Sequence, residues 1–292
     1  MALRSSMHLV KGKAAARAST PEPGGVPLPP SLRREAAVPY DVDTYVLRGC
    51  VQALLRRVGP TLGGFANDTL ESFVPKGSKF FKSTAQQRLL TEAVLADAAF
   101  LALYQRLVHE VVLPDLARRL EASEMAVTRF YYQFPPTMRV QPPGERYIVP
   151  HNDASYGHQP GEVNFWMPLT DYSLTETTLW VETAENEGDY HPVEVTHGEI
   201  ASFHGTKCRH HVPKNPSSYT RVSVDFRVGV DGCYDPDWVM RGTSADHGRR
   251  VADWDERAGV FATANGLGVS GGRDATWSDG RGEGRAFQPA AR

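Results

Sequence analysis

The feature that most restricts the fold is a change of texture near Val127. From there to Val228 the chain is a succession of short β-branched and aromatic runs, parted by Pro, Gly, Asn and Asp. Such runs predict strands, over 127–134, 138–142, 146–151, 162–169, 178–183, 191–195, 199–204 and 219–228. No helix-length segment separates them. Parallel neighbours need long crossovers, so the strands must pair antiparallel. The expected class is therefore mainly β with flanking helices (α+β), with a double-stranded β-helix, a jelly roll of the cupin-like kind, as its core.

Upstream the texture is helical. Over 41–59, Val46, Leu47, Val51, Leu54, Leu55 and Val58 recur near the helical period. Over 83–112, Leu89, Ala93, Phe100, Leu103 and Leu107 can share a broad apolar face of one long helix. Pro114 and Asp115 suit the first turn of a short helix after it. A helical part over 41–123 is expected to buttress a core over 125–230, the two forming one domain over 37–230. Residues 1–36 are basic and small-residue-rich, then rich in Pro and Gly. They are expected to be a disordered leader on a cytoplasmic protein, or an organelle-targeting one. Residues 231–292 are Gly- and Arg-rich and aperiodic. They are expected to form a partly flexible extension that Trp238, Trp254, Phe261 and Trp277 dock in places on the core.

A formal net charge of −2 over 292 residues argues against nucleic acid or an anionic membrane as partner. No apolar run approaches the roughly 18 residues that a spanning helix needs. The cysteines, Cys50, Cys208 and Cys233, are odd in number and match no zinc or disulfide spacing, which fits a reducing compartment.

His151 and Asp153 stand two apart at the lip of a predicted strand, where positions i and i+2 share a face. One imidazole and one carboxylate suit a small cation but are too few to hold it. Seven of the ten histidines lie between 151 and 211, so His158, His191, His197, His204, His210 and His211 are candidates for a third ligand. Further on, "TRVSVDFRV" alternates, with Arg221, Ser223, Asp225 and Arg227 on one face and Val222, Val224 and Phe226 on the other. A guanidinium fixed in a packed sheet needs an anion, either an internal carboxylate such as Asp225 or one on a ligand.

His151-x-Asp153, then His210 and Arg221 with ten residues between them, resembles the signature of the Fe(II)/2-oxoglutarate-dependent dioxygenases. The wider phrasing, "HNDASYGHQPGEVNFWMPLTD" to "TRVSVDFRV", is similar to the branch of that family known from streptomycin biosynthesis, over roughly 125–230. The resemblance implies that His151, Asp153 and His210 bind Fe(II) and that Arg221 pairs with the distal carboxylate of 2-oxoglutarate. It also implies that Ser223 adds a hydrogen bond there and that Asn164 and Trp166 line the cosubstrate pocket. The implied reaction consumes O2 and 2-oxoglutarate and releases succinate and CO2. It hydroxylates or otherwise oxidises an unactivated C–H of a small molecule, in specialised natural-product metabolism. Because Asp153 supplies a carboxylate, no coordination position is freed for a halide, which disfavours halogenation. The spacing to Arg221 and Asn215 favours His210 over His211; on a strand only one of the two faces the metal.

Glu182, Glu185, Glu187, Asp189 and Glu194 read as a solvated loop or as an attractor for a cationic substrate, with Glu182 the best single candidate. Tyr132 and Arg139, with Tyr131 and Arg129, precede the metal stretch and are further candidates for substrate contact. His158 is expected in a turn, near the ligands or facing solvent, and His204 is expected to be packed or hydrogen-bonded. Two other functions fit the same residues: a cupin-like protein that binds metal or carboxylate without turnover, and a 2-oxoglutarate oxygenase acting on a protein.

Overall fold

The computed structural model describes residues 26–76, 85–238 and 248–264. Its helices are α1 (Pro30–Arg33), α2 (Leu47–Leu62), α3 (Ala85–Ala96), α4 (Ala98–Leu107), α5 (Leu113–Glu121) and α6 (Tyr172–Thr175). Its early strands are β1 (Ala36–Pro39), β2 (Gly63–Phe65) and β3 (Phe73–Pro75). The main series runs β4 (Arg129–Gln133), β5 (Thr137–Gln141), β6 (Arg146–His151), β7 (Glu162–Pro168), β8 (Trp180–Val181), β9 (His191–Pro192), β10 (Glu199–Phe203), β11 (His210–Lys214) and β12 (Arg221–Val230). Two more follow, β13 (Arg249–Asp255) and β14 (Val260–Thr263).

The pairing is nested. β5 pairs with β12, β6 with β11, β7 with β10 and β8 with β9, all antiparallel. Consecutive strands thus alternate between a large sheet holding β5, β12, β7 and β10 and a small one ordered β6-β11-β8-β9. A long hairpin folded on itself in this way is the jelly roll, as the short unbroken spacing of the strands predicts.

Each face of the large sheet has its own interior. Val222, Val224, Phe226 and Val228 of β12 are buried in the core that also holds α4 and α5 residues. Phe226 stacks on Phe165 and meets Tyr104 edge-on, both at 5.2 Å between centroids. The opposite face looks toward the small sheet, and a smaller apolar cluster fills part of that gap: Trp166, Leu179, Val181, Ala201, Phe203 and Val212.

Four expectations change. The long helix over 83–112 is broken at Asp97, whose side chain accepts from the Phe100 amide and starts α4. The buried stripe is therefore Leu90 and Val94, then Phe100, Tyr104 and Leu107, while Leu89 is exposed. The chain from His210 to Lys214, absent from the predicted strands, is β11. The sheet also extends beyond 37–230, because β1 begins at Ala36 on the edge of β10 and β13 pairs with β4. Trp254 and Phe261 are on the hairpin of β13 and β14, with ring centroids 5.0 Å apart. Of the leader predicted over 1–36, residues 1–25 lie outside the described residues, as does Trp277; residues 26–36 hold α1 and place Leu28 and Leu32 in the core.

Candidate functional site

His151 ends β6, and its register partner across the small sheet is His210, the first residue of β11. Pairing alone brings the two imidazoles together, 4.5 Å between ring centroids. Asp153 is not on the strand. It opens a 3-10 turn, Asp153–Tyr156, capped by Asn152, and its amide donates to the Gly205 carbonyl at 2.8 Å. The turn folds the carboxylate back under the histidines. Asp153 Oδ1 is 3.6 Å from Nε2 of His151 and 3.6 Å from Nε2 of His210. Among the described residues this is the only group of three possible ligands whose donor atoms all lie within 4.8 Å.

Backbone carbonyls set the imidazoles. Val149 O lies 2.8 Å from Nδ1 of His151, and Cys208 O lies 3.2 Å from Nδ1 of His210. With the proton on Nδ1, each Nε2 lone pair faces the centre, the form that ligates. Burial pushes His210 down to about 4; Asp153 opposes this and His151 reinforces it. His210 is thus neutral at neutral pH. His211 points away, stacked on Trp180 at 6.1 Å and tilted against Tyr190 at 4.9 Å, so the choice between the two histidines falls to His210.

Burial is the strongest single influence and would raise the Asp153 carboxyl, but Arg227, His151, His210 and His158 together outweigh it and hold it well below the usual carboxylate range. Its Oδ2 accepts from Arg227 Nε at 2.7 Å and from Asn164 Nδ2 at 2.6 Å. Asn164 therefore supports the carboxylate ligand. The sequence reading did not assign this role to Asn164 or to Arg227. The signal was available, since Arg227 shares the buried face of β12 with Arg221 and a second buried guanidinium also needs an anion.

Arg221 is 2% exposed, above the Trp166 ring at 5.2 Å, and donates to Gln141 Oε1 at 3.2 Å. Register puts Gln141 opposite Arg221 and Trp166 opposite Asp225, all on the same face of the sheet. Asn215 shapes the turn into β12 by donating to the Tyr219 and Gln141 carbonyls. Asp225 is held by Arg139 through two hydrogen bonds, at 2.6 and 3.0 Å.

Of the other candidates, Arg139 stays on the site face, opposite Ser223. Tyr132 is opposite Val228, so it lies on the helix side of the sheet, its hydroxyl 3.2 Å from His109 Nε2. Arg139 is buried against Asp225. Glu182 is 2% exposed, and its two oxygens accept from the Gly188 and Arg209 amides. A buried carboxylate must find donors, and here it finds the loop's own backbone. Arg129 pairs with Asp253, and Tyr131 stacks on Tyr234. His158 is buried against Glu162 at 2.7 Å, not solvent-facing, and His204 meets the Pro160 carbonyl at 3.0 Å.

The site suits a ligand. Ser223 Oγ, Trp166 Nε1 and Asn164 Oδ1 are buried without a hydrogen-bond partner among the described residues. Each such atom costs about 1–3 kcal/mol unless something meets it. Two imidazoles and one carboxylate grouped around one point are the donor set of non-haem Fe(II) oxygenases, so fold and site together define a jelly roll with a facial metal triad.

Over 122 residues the chain is 35% identical to the streptomycin biosynthesis protein StrG of Streptomyces griseus. That match covers 41% of this chain and 56% of StrG, so the chain spans little more than half of that relative. Similar solved structures include the non-heme monooxygenase ThoJ, at 14% identity and a TM-score of 0.47 over 74% of this chain and 80% of that one. Another is SnoK, a non-heme alpha ketoglutarate dependent carbocyclase from nogalamycin biosynthesis, at 14% identity and a TM-score of 0.45 over 74% and 85%. No family model matches the chain.

Proposed function

We propose that the protein is a non-haem Fe(II)- and 2-oxoglutarate-dependent oxygenase that oxidises an unactivated C–H bond of a small molecule. O2 is consumed and succinate and CO2 are released. The observation that carries the reading is the convergence of His151, Asp153 and His210 on one point, where Asp153 meets Arg227 and Asn164 on the face of the large sheet that also bears Arg221. StrG's part in streptomycin biosynthesis supports a natural-product setting. The net charge of −2 supports a substrate other than nucleic acid.

His151 and His210 would hold the ion through Nε2 and Asp153 through Oδ1. Bound iron supplies the O2 and redox chemistry that no side chain here can. Arg221 would receive the distal carboxylate of 2-oxoglutarate, with the Ser223 hydroxyl and the Trp166 indole N–H as further donors on the same face. Asn164 touches the metal-binding carboxylate and Trp166 touches the guanidinium of Arg221. Two residues along a strand are about 7 Å apart, a distance a short dicarboxylate can bridge. Phe203, edge-on to His210 at 5.2 Å, helps exclude water from the ligands.

The test is optical and anaerobic. Fe(II) and then 2-oxoglutarate are added to purified protein, and the visible charge-transfer band of a keto-acid chelate is sought. The band is expected in the wild type and absent in His210→Ala. In Arg221→Gln it should need about 10–100-fold more 2-oxoglutarate, the equivalent of one charge-assisted bond at 1.5–3 kcal/mol. Fe(II) uptake without a band would sink the cosubstrate assignment. Asp153→Ala turning over 2-oxoglutarate at the wild-type rate would sink the metal assignment.

A further inference from the structure

The proposed metal centre has an asymmetry in its only acidic ligand. Asp153 Oδ2 takes hydrogen bonds from Arg227 Nε at 2.7 Å and Asn164 Nδ2 at 2.6 Å, with Arg227 Nη2 in ion-pair contact at 2.7 Å. A carboxylate offers about four acceptor positions, two on each oxygen, so these two donors leave Oδ2 nothing to give an ion. Oδ1, by contrast, faces both imidazoles.

The donors are themselves fixed. Arg227 is inside β12, with Nη1 donating to Gln133 Oε1 at 3.1 Å. Asn164 is inside β7, directly opposite Arg227 in the register. Gly205 closes over Asn164: a Cβ at residue 205 would stand 2.6 Å from Asn164 Cγ, so a glycine there leaves the amide the room it occupies beside the carboxylate. Asp153 itself sits in a one-turn 3-10 segment at a strand end, a less rigid support than either central strand.

We infer that Arg227, with Asn164, is a positioning residue pair that restricts Asp153 to one-oxygen ligation of the divalent ion, so that the large sheet and not the Asp153 turn sets how much of the metal face stays open. The inference rests on the metal-centre reading above. A carboxylate free to bind through both oxygens would take a position that a keto acid or O2 needs. The Arg227 charge also balances Asp153, so neither buried ion stands alone.

The experiment is titration of the full chain with Co(II), a probe whose ligand-field absorption reports its coordination, in the wild type, Arg227→Gln, Arg227→Lys and Asn164→Ala. Arg227→Gln is expected to weaken Co(II) binding about 10–100-fold, the usual effect of losing a partner of a metal ligand. It should also change the ligand-field spectrum, because a released Oδ2 joins the ion. Arg227→Lys, which keeps the charge but loses the fork, should recover part of the affinity. Asn164→Ala should move affinity and spectrum in the same direction by less, and it carries the test if Arg227→Gln does not fold. Wild-type affinity with a wild-type spectrum in the folded variants would overturn the inference and leave the metal reading standing. No Co(II) uptake by the wild type would overturn both.

Discussion

On one face of β12, Val222, Val224, Phe226 and Val228 are at most 1% exposed and pack on helices; on the other, Arg221 and Ser223 are at most 2% exposed and face the metal triad. The two faces are chemically opposite, and the polar one is dry at Arg221 and Ser223 and partly buried at Asp225 and Arg227. Each apolar side chain contributes about 1.5–3 kcal/mol by burial. The polar face costs free energy wherever a group lacks a partner, and it persists because its charges are matched: Arg227 with Asp153, Arg139 with Asp225. A single strand can therefore carry stability on one side and chemistry on the other, provided the chemical side is internally neutralised.

The largest expected effect breaks the apolar side. Phe226→Ala should cost about 3–5 kcal/mol of stability, measured by chemical denaturation. The folded fraction should still bind Co(II) with wild-type affinity; a matching loss of affinity would show that the two faces are not separable. Glu182→Gln sharpens the contrast just past β8 of the small sheet, where a buried acid is held by backbone amides. It should lose about 1–3 kcal/mol and leave 2-oxoglutarate and metal affinities untouched. A selective rise in substrate KM at full stability would instead return Glu182 to the substrate.

The smallest effect is the pH dependence of the metal-free protein. His109, on the helix side, is held below its ordinary value by burial and then by Arg250. His210, on the cavity side, is pushed down to about 4 by burial. Both are favoured neutral in the folded state, so the unfolded chain binds more protons below the ordinary histidine range. Stability should therefore fall as pH drops from about 6.5 toward 4. His109→Gln should flatten the slope on the helix side, while saturating Co(II) should steepen the net dependence by competing with protons at His210. Unfolding free energy that does not change between pH 7.5 and 5.5 would rule out both contributions.

Much of this was legible beforehand. The alternation in "TRVSVDFRV" placed Arg221, Ser223, Asp225 and Arg227 on one face of β12, and so they are. The spacing of His151, Asp153, His210 and Arg221 named the metal cluster, although Asp153 reaches it from a turn and not along a strand. β11 was missed because "HHVPK" is too short to show a period and contains a proline; it is a strand because β6 and β8 flank it. The places of Tyr132 and Glu182 were not legible, because residue type does not say which face of the sheet, or which backbone amides, a side chain will meet.

By itself the sequence determined what is local: the succession of antiparallel strands, the two-faced character of β12, and a set of ligands chemically able to hold a divalent ion. Only the tertiary structure decided which histidine turns inward, that Arg227 and Asn164 take hold of Asp153, and that Glu182 belongs to a loop. Periodicity arises from neighbours along the chain, whereas register, and with it every contact at the centre, comes from pairing between segments far apart in sequence.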